Sequence, residues 1–540
     1  MLIVLSAPHG GRRRECPLAE DEPPIERMGL MGASRKSARH GTISRGFPVA
    51  LIVVSVSAII GAGVAWEKRG AIKNLPDYLH YFAPVDGRER IATEDDGFDV
   101  LLLVLDACRP EKLSAYGFER ETTPSLDLLV RDPDAVLFRR HYANGNWTKP
   151  STASLFTGMF VHEHGAFKPW RPSGDEDTNV FATQVLSDKV ETMAEMFAGQ
   201  GYYTFGIVQG HHLNAEFGFA QGFQEYYTSA DYSSDRFKVL ATNALVRSIK
   251  GNYFGYVHLL GCHQPFPPGA RHDAYMETYG FDYPEEERIS QGVNFHKTKI
   301  KDLINDGELK LTEQDVRFLH LAYEARTRRM DEESVRPILE TLKETGRYDR
   351  TLIVVTADHG ELLYEHERYA HSELFLWEEV VRVPLIVKFP KGKRAAALPR
   401  EVNELTSSVD LLPTLADLLD RPAPAHARGA AIFSGEFAGS TMIEGQFCPP
   451  ELNDCLVSSA FLSDAYKLIE YPGETLLFDL ERDPMEQSSI AEKQPSLSGK
   501  LEAAAAQLRS ESATEFLARP IETEVDKEAI ETLRGLGYVQ

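Results

Sequence analysis

Apolar residues along this chain fall into short solid runs and longer runs with a helical period. Short solid runs of β-branched and aromatic residues are typical of strands buried on both faces of a parallel sheet. Such runs occur at 100–105, 203–208, 253–260, 351–356 and 385–389. Helical periods occur at 190–198 and 315–344, and each ends close to a glycine. This alternation predicts an α/β fold, a mostly parallel sheet sandwiched by helices.

The pattern becomes weaker after residue 420. A short amphipathic helix is predicted at 408–420, and a Pro/Ala linker follows at 421–426. Beyond the linker, the predicted elements are strands at 456–461, 467–471 and 476–479, a helix at 496–510, and a peripheral helix and tail at 531–540. We therefore expect a catalytic domain over 98–420 and a smaller C-terminal α+β subdomain over 421–540.

An uncharged apolar run at 47–66 is long enough to cross a bilayer as a helix. Arginines crowd the preceding segment, 1–46, so the positive-inside rule keeps that segment cytoplasmic and exports the rest. A cleaved signal peptide, with small residues at 63–65, is the competing interpretation. We favour a signal anchor followed by a juxtamembrane spacer at 67–97. This predicts a single-pass protein of the inner (plasma) membrane, with its catalytic domain outside the cytoplasm.

Composition narrows the classes of partner. The 540 residues carry a net charge of -23, which argues against a nucleic-acid groove, so no nucleic acid is expected as partner. Five cysteines are too few for a disulfide scaffold. Cys448 and Cys455 lie close enough in sequence to pair outside the cytoplasm, or are two unrelated small residues.

Polar residues that could carry chemistry stand where predicted strands end. Asp106 follows the first solid run and Asp358-His359 follows the fourth, and open α/β sheets bind ligands at this end of their strands. Thr148 precedes Pro150, a residue favoured in the first turn of a helix, so Thr148 should lie at a helix N-terminus that attracts anions. Each residue also has a plainer interpretation: a turn, a loop hydrogen bond or a helix cap.

Together, Asp106, Thr148, Asp358 and His359 offer two carboxylates, a hydroxyl and an imidazole. This set suits one divalent ion such as Zn²⁺ or Mn²⁺, and less comfortably Mg²⁺ or Ca²⁺, which prefer oxygen ligands. A threonine hydroxyl is a poor nucleophile at neutral pH. A bound cation would lower its pKa and neutralise charge on an ester.

Two further histidines complete the predicted catalytic set. His263 follows the third solid run in a proline-containing loop, and His371 precedes the fifth. Each could hold the ester's non-bridging oxygens or protonate the leaving group.

Several stretches carry the pattern of one enzyme family. Residues 148–158 read Thr-Lys-Pro-Ser-Thr-Ala-Ser-Leu-Phe-Thr-Gly, against the signature Cys/Ser-x-Pro-Ser-Arg-x-x-Leu-x-Thr-Gly. Other matching stretches are 105–110 (Leu-Asp-Ala-Cys-Arg-Pro), 122–127, 254–268, 358–361 (Asp-His-Gly-Glu), 382–386, 477–486 and 533–538. From roughly residue 99 to its end, the chain resembles the sulfatases of the alkaline phosphatase superfamily.

The resemblance implies an alkaline-phosphatase-like fold and assigns a role to each candidate residue. Asp106 matches the first metal-binding aspartate, and Asp358-His359 matches the second metal-binding pair. His263 matches a substrate-contacting histidine, and His371 matches a further active-site histidine.

The chain also departs from the sulfatase pattern. Sulfatases oxidise a Cys or Ser to formylglycine, and Thr148 cannot give that aldehyde because of its extra methyl group. Thr152 replaces the signature arginine, and Ala107 replaces a second aspartate, which weakens a Ca²⁺ site. A threonine nucleophile resembles instead the phosphoethanolamine and glycerophosphate transferases of the same superfamily.

These residues predict a metal-dependent, sulfatase-like hydrolase of sulfate or phosphate esters, with Thr148 as the nucleophile. Its partner would be an anionic ester substrate, carried by a glycan or a lipid. One alternative is a phospho-group transferase that modifies a surface glycan or lipid. Another is a catalytically inactive relative that binds an anionic glycan.

Overall fold

A computed structural model describes most of the chain after residue 97. The described residues are 90–92, 97–167, 171–172, 180–209, 211–229, 235–264, 275–280, 299–371, 374–395, 398–447, 456–511 and 519–524. Outside them lie the predicted segments 1–46 and 47–66, most of the 67–97 spacer, Cys448 and Cys455, and the 531–540 tail. Of the helices in the described ranges, none has both the length and the apolar composition needed to cross a bilayer.

Strands and helices alternate along the described residues. The strands are β1 Asp99–Leu105, β2 Ala135–Tyr142, β3 Arg171–Pro172, β4 Val180–Val185, β5 Tyr203–Gln209, β6 Glu225–Ser229, β7 Tyr253–Leu259, β8 Thr351–Thr356, β9 Arg382–Lys388, β10 Glu401–Ser407, β11 Ser440–Phe447, β12 Leu456–Ser463, β13 Tyr466–Tyr471, β14 Glu474–Asp479 and β15 Arg519–Glu524. The helices are α1 Pro124–Arg131, α2 Thr148–Thr157, α3 Val161–His164, α4 Met193–Gly199, α5 Arg236–Ser248, α6 Lys299–Asn305, α7 Glu313–Met330, α8 Arg336–Glu344, α9 Glu378–Val381, α10 Leu411–Leu418 and α11 Pro495–Ser510.

The main sheet has eight strands in the order β10-β2-β9-β8-β1-β7-β5-β6. Every neighbouring pair is parallel except the two pairs that involve β9. The predicted mostly parallel sheet is therefore confirmed.

The central strand β1 explains why solid apolar runs mark this sheet. All of its residues are buried. Its even-numbered residues over 100–104 pack into one hydrophobic core with α2, α4 and α10, and its odd-numbered residues over 101–105 pack into another with α5, α7 and α8. Successive side chains of a strand point to opposite faces, so a strand covered by helices on both faces must be apolar throughout.

The predicted helix at 315–344 is interrupted. A π-helical turn at Asp331–Val335 separates α7 from α8. The Asp331 carboxylate in this turn accepts hydrogen bonds from the backbone N–H groups of Ser125 (2.8 Å) and Leu126 (3.1 Å) at the start of α1. The interruption therefore supplies acceptors to a helix N-terminus.

We expect Asp331→Asn to flatten the pH dependence of stability. Burial raises the pKa of Asp331 from an ordinary 3.8 to about 6. Its contribution to stability is therefore fully present below the unfolded-state pKa and is lost as pH rises through about 6, a change of roughly 3 kcal/mol. Urea melts at pH 3.5 and pH 7.5 measure this change. The exposed Asp302→Asn is the control, and an unaltered pH dependence in Asp331→Asn would refute the prediction.

The C-terminal region forms an antiparallel sheet, β11-β12-β13-β14, with α11 packed on it. This confirms the smaller α+β subdomain, while its boundary at residues 420/421 stays a prediction. The sheet joins the main sheet close to α2. Asn144, in the loop after β2, accepts a hydrogen bond from the Glu444 N–H (3.0 Å) and donates one from its side chain to the Met442 carbonyl (2.8 Å). The C-terminal subdomain therefore supports the loop that leads to Thr148.

Candidate active site

The two predicted metal-binding aspartates meet at one edge of the sheet. β1 and β8 are parallel neighbours with Val104 opposite Thr356, and Asp106 and Asp358 each stand two residues beyond that pair. Both aspartates are buried. Since the register brings the two carboxylates to the same level, the sequence prediction from strand ends agrees with the geometry.

His258 is the residue of this site that sequence reasoning missed. It lies within β7, opposite Val104 of β1, and its Nε2 is 3.3 Å from Asp358 Oδ2. Ligand atoms of Asp106, His258 and Asp358 all lie within 4.8 Å of one another, so this group could hold a metal ion. The available signal was an imidazole inside an otherwise apolar buried strand, a costly placement unless the ring has a partner.

His359 lies beside the same carboxylates. Its Nε2 is 3.5 Å from Asp106 Oδ1 and 3.6 Å from Asp358 Oδ2. Its Nδ1–H donates to the Gly360 carbonyl at 2.8 Å, which fixes the tautomer and turns Nε2 towards the carboxylates. Burial lowers the pKa of His359 to about 4. The ring is therefore neutral at physiological pH, the form that binds metals.

Thr148 is the first residue of α2, as the position of Pro150 predicted. The N-cap is Trp147, so the Thr148 hydroxyl does not cap the helix. The Thr148 Oγ1 atom lies 3.4 Å from His359 Nε2, to which the hydroxyl can donate. The chain reaches α2 through Gly145, where a Cβ atom would lie 2.8 Å from the Ser151 backbone nitrogen. Thr148 is thus presented to the group that contains the two aspartates.

The charge balance of this group fits a cation. Asp106 Oδ1 is buried and has no hydrogen-bond partner among the described residues. Burial raises the pKa of Asp106, and the charge of Asp358 adds to the rise. Although burial alone would raise it, the pKa of Asp358 is held below its ordinary value by His359 and His258. Buried carboxylates with an unpaired oxygen and neighbouring imidazoles form a donor set that suits a divalent ion.

His263 and His371, the two further histidines of the predicted catalytic set, lie beside His359. The ring centroids are 4.2 Å apart for His359 and His371, 5.0 Å for His263 and His371, and 6.3 Å for His263 and His359. The buried Glu361 carboxylate accepts hydrogen bonds from the His371 backbone N–H (2.6 Å) and Nδ1–H (3.1 Å). Glu361 therefore orients the His371 ring, a role that its place in the Asp-His-Gly-Glu motif did not reveal.

A buried cysteine contact lies behind the site. The sulfur atoms of Cys108 and Cys262 are 2.8 Å apart, and neither residue is exposed. The Cys262 backbone N–H also donates to the Asp106 carbonyl at 2.9 Å. The segment that carries Asp106 and the loop that carries His263 are thus packed directly against each other.

Comparisons with known proteins identify the family to which this chain is similar. The family profile described as Sulfatase matches residues 99–421, and the profile of the N-sulphoglucosamine sulphohydrolase C-terminal region matches residues 365–511. Arylsulfatase K of Bos taurus is 23% identical over 504 residues, which cover 84% of this chain and 86% of that protein. An N-acetylglucosamine-6-O-sulfatase of Bacteroides thetaiotaomicron is 22% identical over 397 residues, which cover 62% of this chain and 70% of that protein.

Solved structures show the same fold. The crystal structure of the phosphonate monoester hydrolase of Agrobacterium radiobacter superposes with a TM-score of 0.59 at 19% sequence identity, and the match covers 77% of this chain and 96% of that one. The predicted alkaline-phosphatase-like architecture is confirmed by this match. Since the sulfatase profile spans more than half of the sequence, the chain belongs to the sulfatase family of the alkaline phosphatase superfamily and is an enzyme of the sulfuric ester hydrolase class.

Proposed function

We propose that this chain is a metal-dependent hydrolase of sulfate or phosphate esters in which Thr148 is the nucleophile. One observation carries the proposal: the Thr148 hydroxyl is the first side chain of α2 and lies 3.4 Å from His359 Nε2, beside the buried Asp106 and Asp358. No cap interaction competes for that hydroxyl, so the site leaves it available for chemistry.

The residues that would hold the ion are Asp106, Thr148, Asp358 and His359, with His258 as a further nitrogen donor. A divalent cation bound there would lower the pKa of the Thr148 hydroxyl and neutralise charge on the ester. The mixed nitrogen and oxygen donors favour Zn²⁺ or Mn²⁺ over Mg²⁺ or Ca²⁺.

Thr148 would attack the sulfur or phosphorus atom in line with the leaving oxygen. A bond forms from Thr148 Oγ1 to that atom, the bond to the leaving oxygen breaks, and the hydroxyl proton passes to a neighbouring base. The N-terminus of α2 favours the negative charge of the transferring group. Water then attacks the same sulfur or phosphorus atom and releases Thr148. Because Thr148 has no second oxygen on its Cβ, its ester cannot collapse to a carbonyl as that of a hydrated aldehyde can.

His371 and His263 would serve the leaving group and the non-bridging oxygens. Glu361 accepts from His371 Nδ1–H, and a carboxylate in that position favours the protonated ring. His263 Nδ1–H donates to the Gln264 carbonyl, which fixes its ring in turn. His371 is therefore the better candidate for the general acid.

We expect His371→Ala to slow poor leaving groups far more than good ones. A phenyl ester needs its departing oxygen protonated, so its kcat/KM should fall by about 10²-fold or more, whereas a 4-nitrophenyl ester should lose less than about tenfold. Steady-state assays of the two esters measure the difference. Equal losses for both esters would show that His371 binds the substrate rather than donating a proton.

Relatives support an anionic ester substrate of the glycan class. The sulfatase of Bacteroides thetaiotaomicron is named for a sulfated sugar, and the PehA protein of Trinickia caryophylli, 22% identical over 487 residues, is named a multifunctional member of the superfamily. We infer a sulfated or phosphorylated glycan as the first candidate and a lipid-linked ester as the second.

A substrate panel tests the proposal. The full chain is loaded separately with Zn²⁺, Mn²⁺, Mg²⁺ or Ca²⁺ and assayed with 4-nitrophenyl sulfate, 4-nitrophenyl phosphate and bis(4-nitrophenyl) phosphate. We expect metal-dependent turnover of at least one ester. Added ethanolamine or glycerol separates hydrolysis from transfer, because a transferase would form the new ester in preference to the free anion. No turnover with any ion would favour the inactive glycan-binding relative.

We also propose that the enzyme is held at the inner (plasma) membrane through residues 47–66, with the catalytic domain outside the cytoplasm. The support is the uncharged apolar run after an arginine-rich segment. Protease protection of the catalytic domain in spheroplasts would contradict this placement.

A further inference from the structure

A second group of side chains that could ligate a metal lies apart from the group of Asp106, His258 and Asp358. It consists of His366 and the carboxylates of Glu379 and Glu486, and their ligand atoms all lie within 4.8 Å of one another. His366 belongs to the 3-10 turn Glu365–Glu367, Glu379 belongs to α9, and Glu486 follows β14. We call this group the linking cluster, because its members come from the catalytic loop region and from the C-terminal subdomain.

Glu379 is the observation that points to a ligand. Its side chain is 3% exposed, and neither carboxylate oxygen has a hydrogen-bond partner among the described residues. Oε2 of Glu379 lies 3.4 Å from His366 Nε2, and that nitrogen likewise has no hydrogen-bond partner within the described ranges. A buried carboxylate and a partly buried imidazole thus face each other without a hydrogen bond. Burying a carboxylate in this way is costly unless a cation compensates it.

The charges around Glu379 do not balance. Glu378, Glu379 and Glu486 are all buried. The buried Lys467 pairs with Glu378 Oε1 at 3.1 Å and Glu486 Oε1 at 2.9 Å. The buried Arg109 guanidinium is within electrostatic reach of Glu379, but its own ion pairs are with Glu111 and Glu365. Lys467 therefore serves the two carboxylates other than Glu379.

We propose that His366, Glu379 and Glu486 bind a second divalent cation of the Zn²⁺ or Mn²⁺ class, distinct from the ion at the active site. One imidazole nitrogen and two carboxylate oxygens form a donor set that suits these ions, with water or a further ligand completing the coordination. The cation would neutralise Glu379 and bridge it to Glu486. This role is structural and does not depend on the identity of the ester.

The linking cluster is coupled to the active site through the backbone. The Glu379 carbonyl accepts from the Glu361 N–H at 3.0 Å, and the Val380 carbonyl accepts from the Gly360 N–H at 2.7 Å. A Cβ atom on Gly360 would lie 2.1 Å from the Glu379 carbonyl oxygen, so only glycine permits this approach. An ion on the Glu379 side chain would therefore fix α9 against β14 and hold the segment that follows His359 in place.

A simpler alternative is an ion pair between protonated His366 and Glu379. The His366 ring stacks on Trp377 with centroids 4.0 Å apart and planes 11° from parallel. Metal stoichiometry separates the two interpretations, because an ion pair needs no metal.

The test counts ions bound to the full-length chain. Wild type and variants are stripped with a chelator, dialysed against ZnCl₂ or MnCl₂ alone, and measured by inductively coupled plasma mass spectrometry. We expect two ions per chain for wild type, one for Glu379→Gln and one for Asp358→Asn. The matched control Glu333→Gln, a half-exposed glutamate paired with Arg329, should keep two. Glu379→Gln with the same count as wild type would overturn the proposal, and so would an Asp358→Asn variant that binds no ion.

Thermal stability provides a second test in case Glu379→Gln fails to fold. In Asp358→Asn, where the linking cluster would be the remaining site, added ZnCl₂ should raise Tm. The same addition should not raise Tm in Asp358→Asn combined with His366→Gln. Equal shifts in the two proteins would contradict the proposal. If the active site binds no ion but the linking cluster does, wild type and Asp358→Asn should each bind one ion. The failure of the proposed active-site ion can therefore be distinguished from the failure of the proposed second site.

Discussion

Thr148→Ala should lower kcat/KM by about 10⁴-fold or more on whichever ester the enzyme turns over. The substitution removes the oxygen that would attack sulfur or phosphorus, the hydroxyl that lies 3.4 Å from His359 Nε2. The change should leave folding intact, because Trp147 is the N-cap of α2 and Thr148 makes no capping bond. Steady-state kinetics with a parallel thermal melt measure both effects.

Two substitutions at the same position act as controls. Thr148→Ser keeps the hydroxyl and should retain activity within about a hundredfold of wild type. Thr148→Cys restores the residue found in the family signature, without the signature arginine that Thr152 replaces. If Thr148→Ala lost less than about tenfold in kcat/KM, Thr148 would be a structural residue and the proposed nucleophile would be wrong.

Asp358→Asn should lower kcat/KM by about 10³-fold or more and should also remove the active-site ion. The amide keeps the size of the side chain and loses the charge that balances the ion. Its Oδ2 position faces His258 at 3.3 Å and His359 at 3.6 Å, so the substitution alters three donors of the site together. Kinetics and metal content of the purified variant measure the two losses.

Asp99 at the opposite end of β1 provides the matched control. It is fully buried and pairs with Arg347 at 2.8 Å, far along the strand from Asp106. Asp99→Asn should lower the free energy of unfolding, because it leaves Arg347 without its charged partner, while kcat/KM should stay within about threefold of wild type. Equal kinetic losses in Asp99→Asn and Asp358→Asn would mean that both act through stability and that Asp358 holds no ion.

The strand ends of the site could be predicted from the sequence for a physical reason. A strand buried on both faces must be apolar, so the first polar residue after it marks the strand's end, and parallel strands share that edge. Asp106 and Asp358-His359 follow this rule. Thr148 could be placed at a helix start because Pro150 is compatible with a first turn only.

Other parts of the site depend on pairings that no local pattern encodes. His258 lies inside β7, and only the register between β7 and β1 brings its ring beside Asp358. Glu361 is part of the Asp-His-Gly-Glu motif in the sequence, but its role in orienting His371 follows only from their contact in the structure. The strand β2 also went unpredicted, because Arg139 and Arg140 interrupt its apolar run, although it pairs with β9 and β10. The contact of His258 with Asp358 joins residues 100 positions apart, and the pairs of β2 with β9 and β10 join residues that are still more distant.

The linking cluster illustrates the same limit. His366, Glu379 and Glu486 come from three separate elements, and each reads in the sequence as an ordinary charged residue of a loop or short helix. The burial of the two glutamates and the unpaired carboxylate oxygens of Glu379 are visible only after folding. Functional residues can therefore be predicted from the sequence when a single strand end or helix start marks them. Sites assembled from several elements become visible only in the structure.

Mass spectrometry of the metal-loaded enzyme, quenched with acid during turnover and digested, tests the central claim most directly. The account predicts a sulfo or phospho group on the peptide that contains residues 148–158, with fragment ions that place it on Thr148. The same adduct should be absent from Thr148→Ala. An adduct on any other residue would contradict the account. So would efficient turnover by wild type without an adduct, if the same conditions trap an adduct in Thr148→Ser.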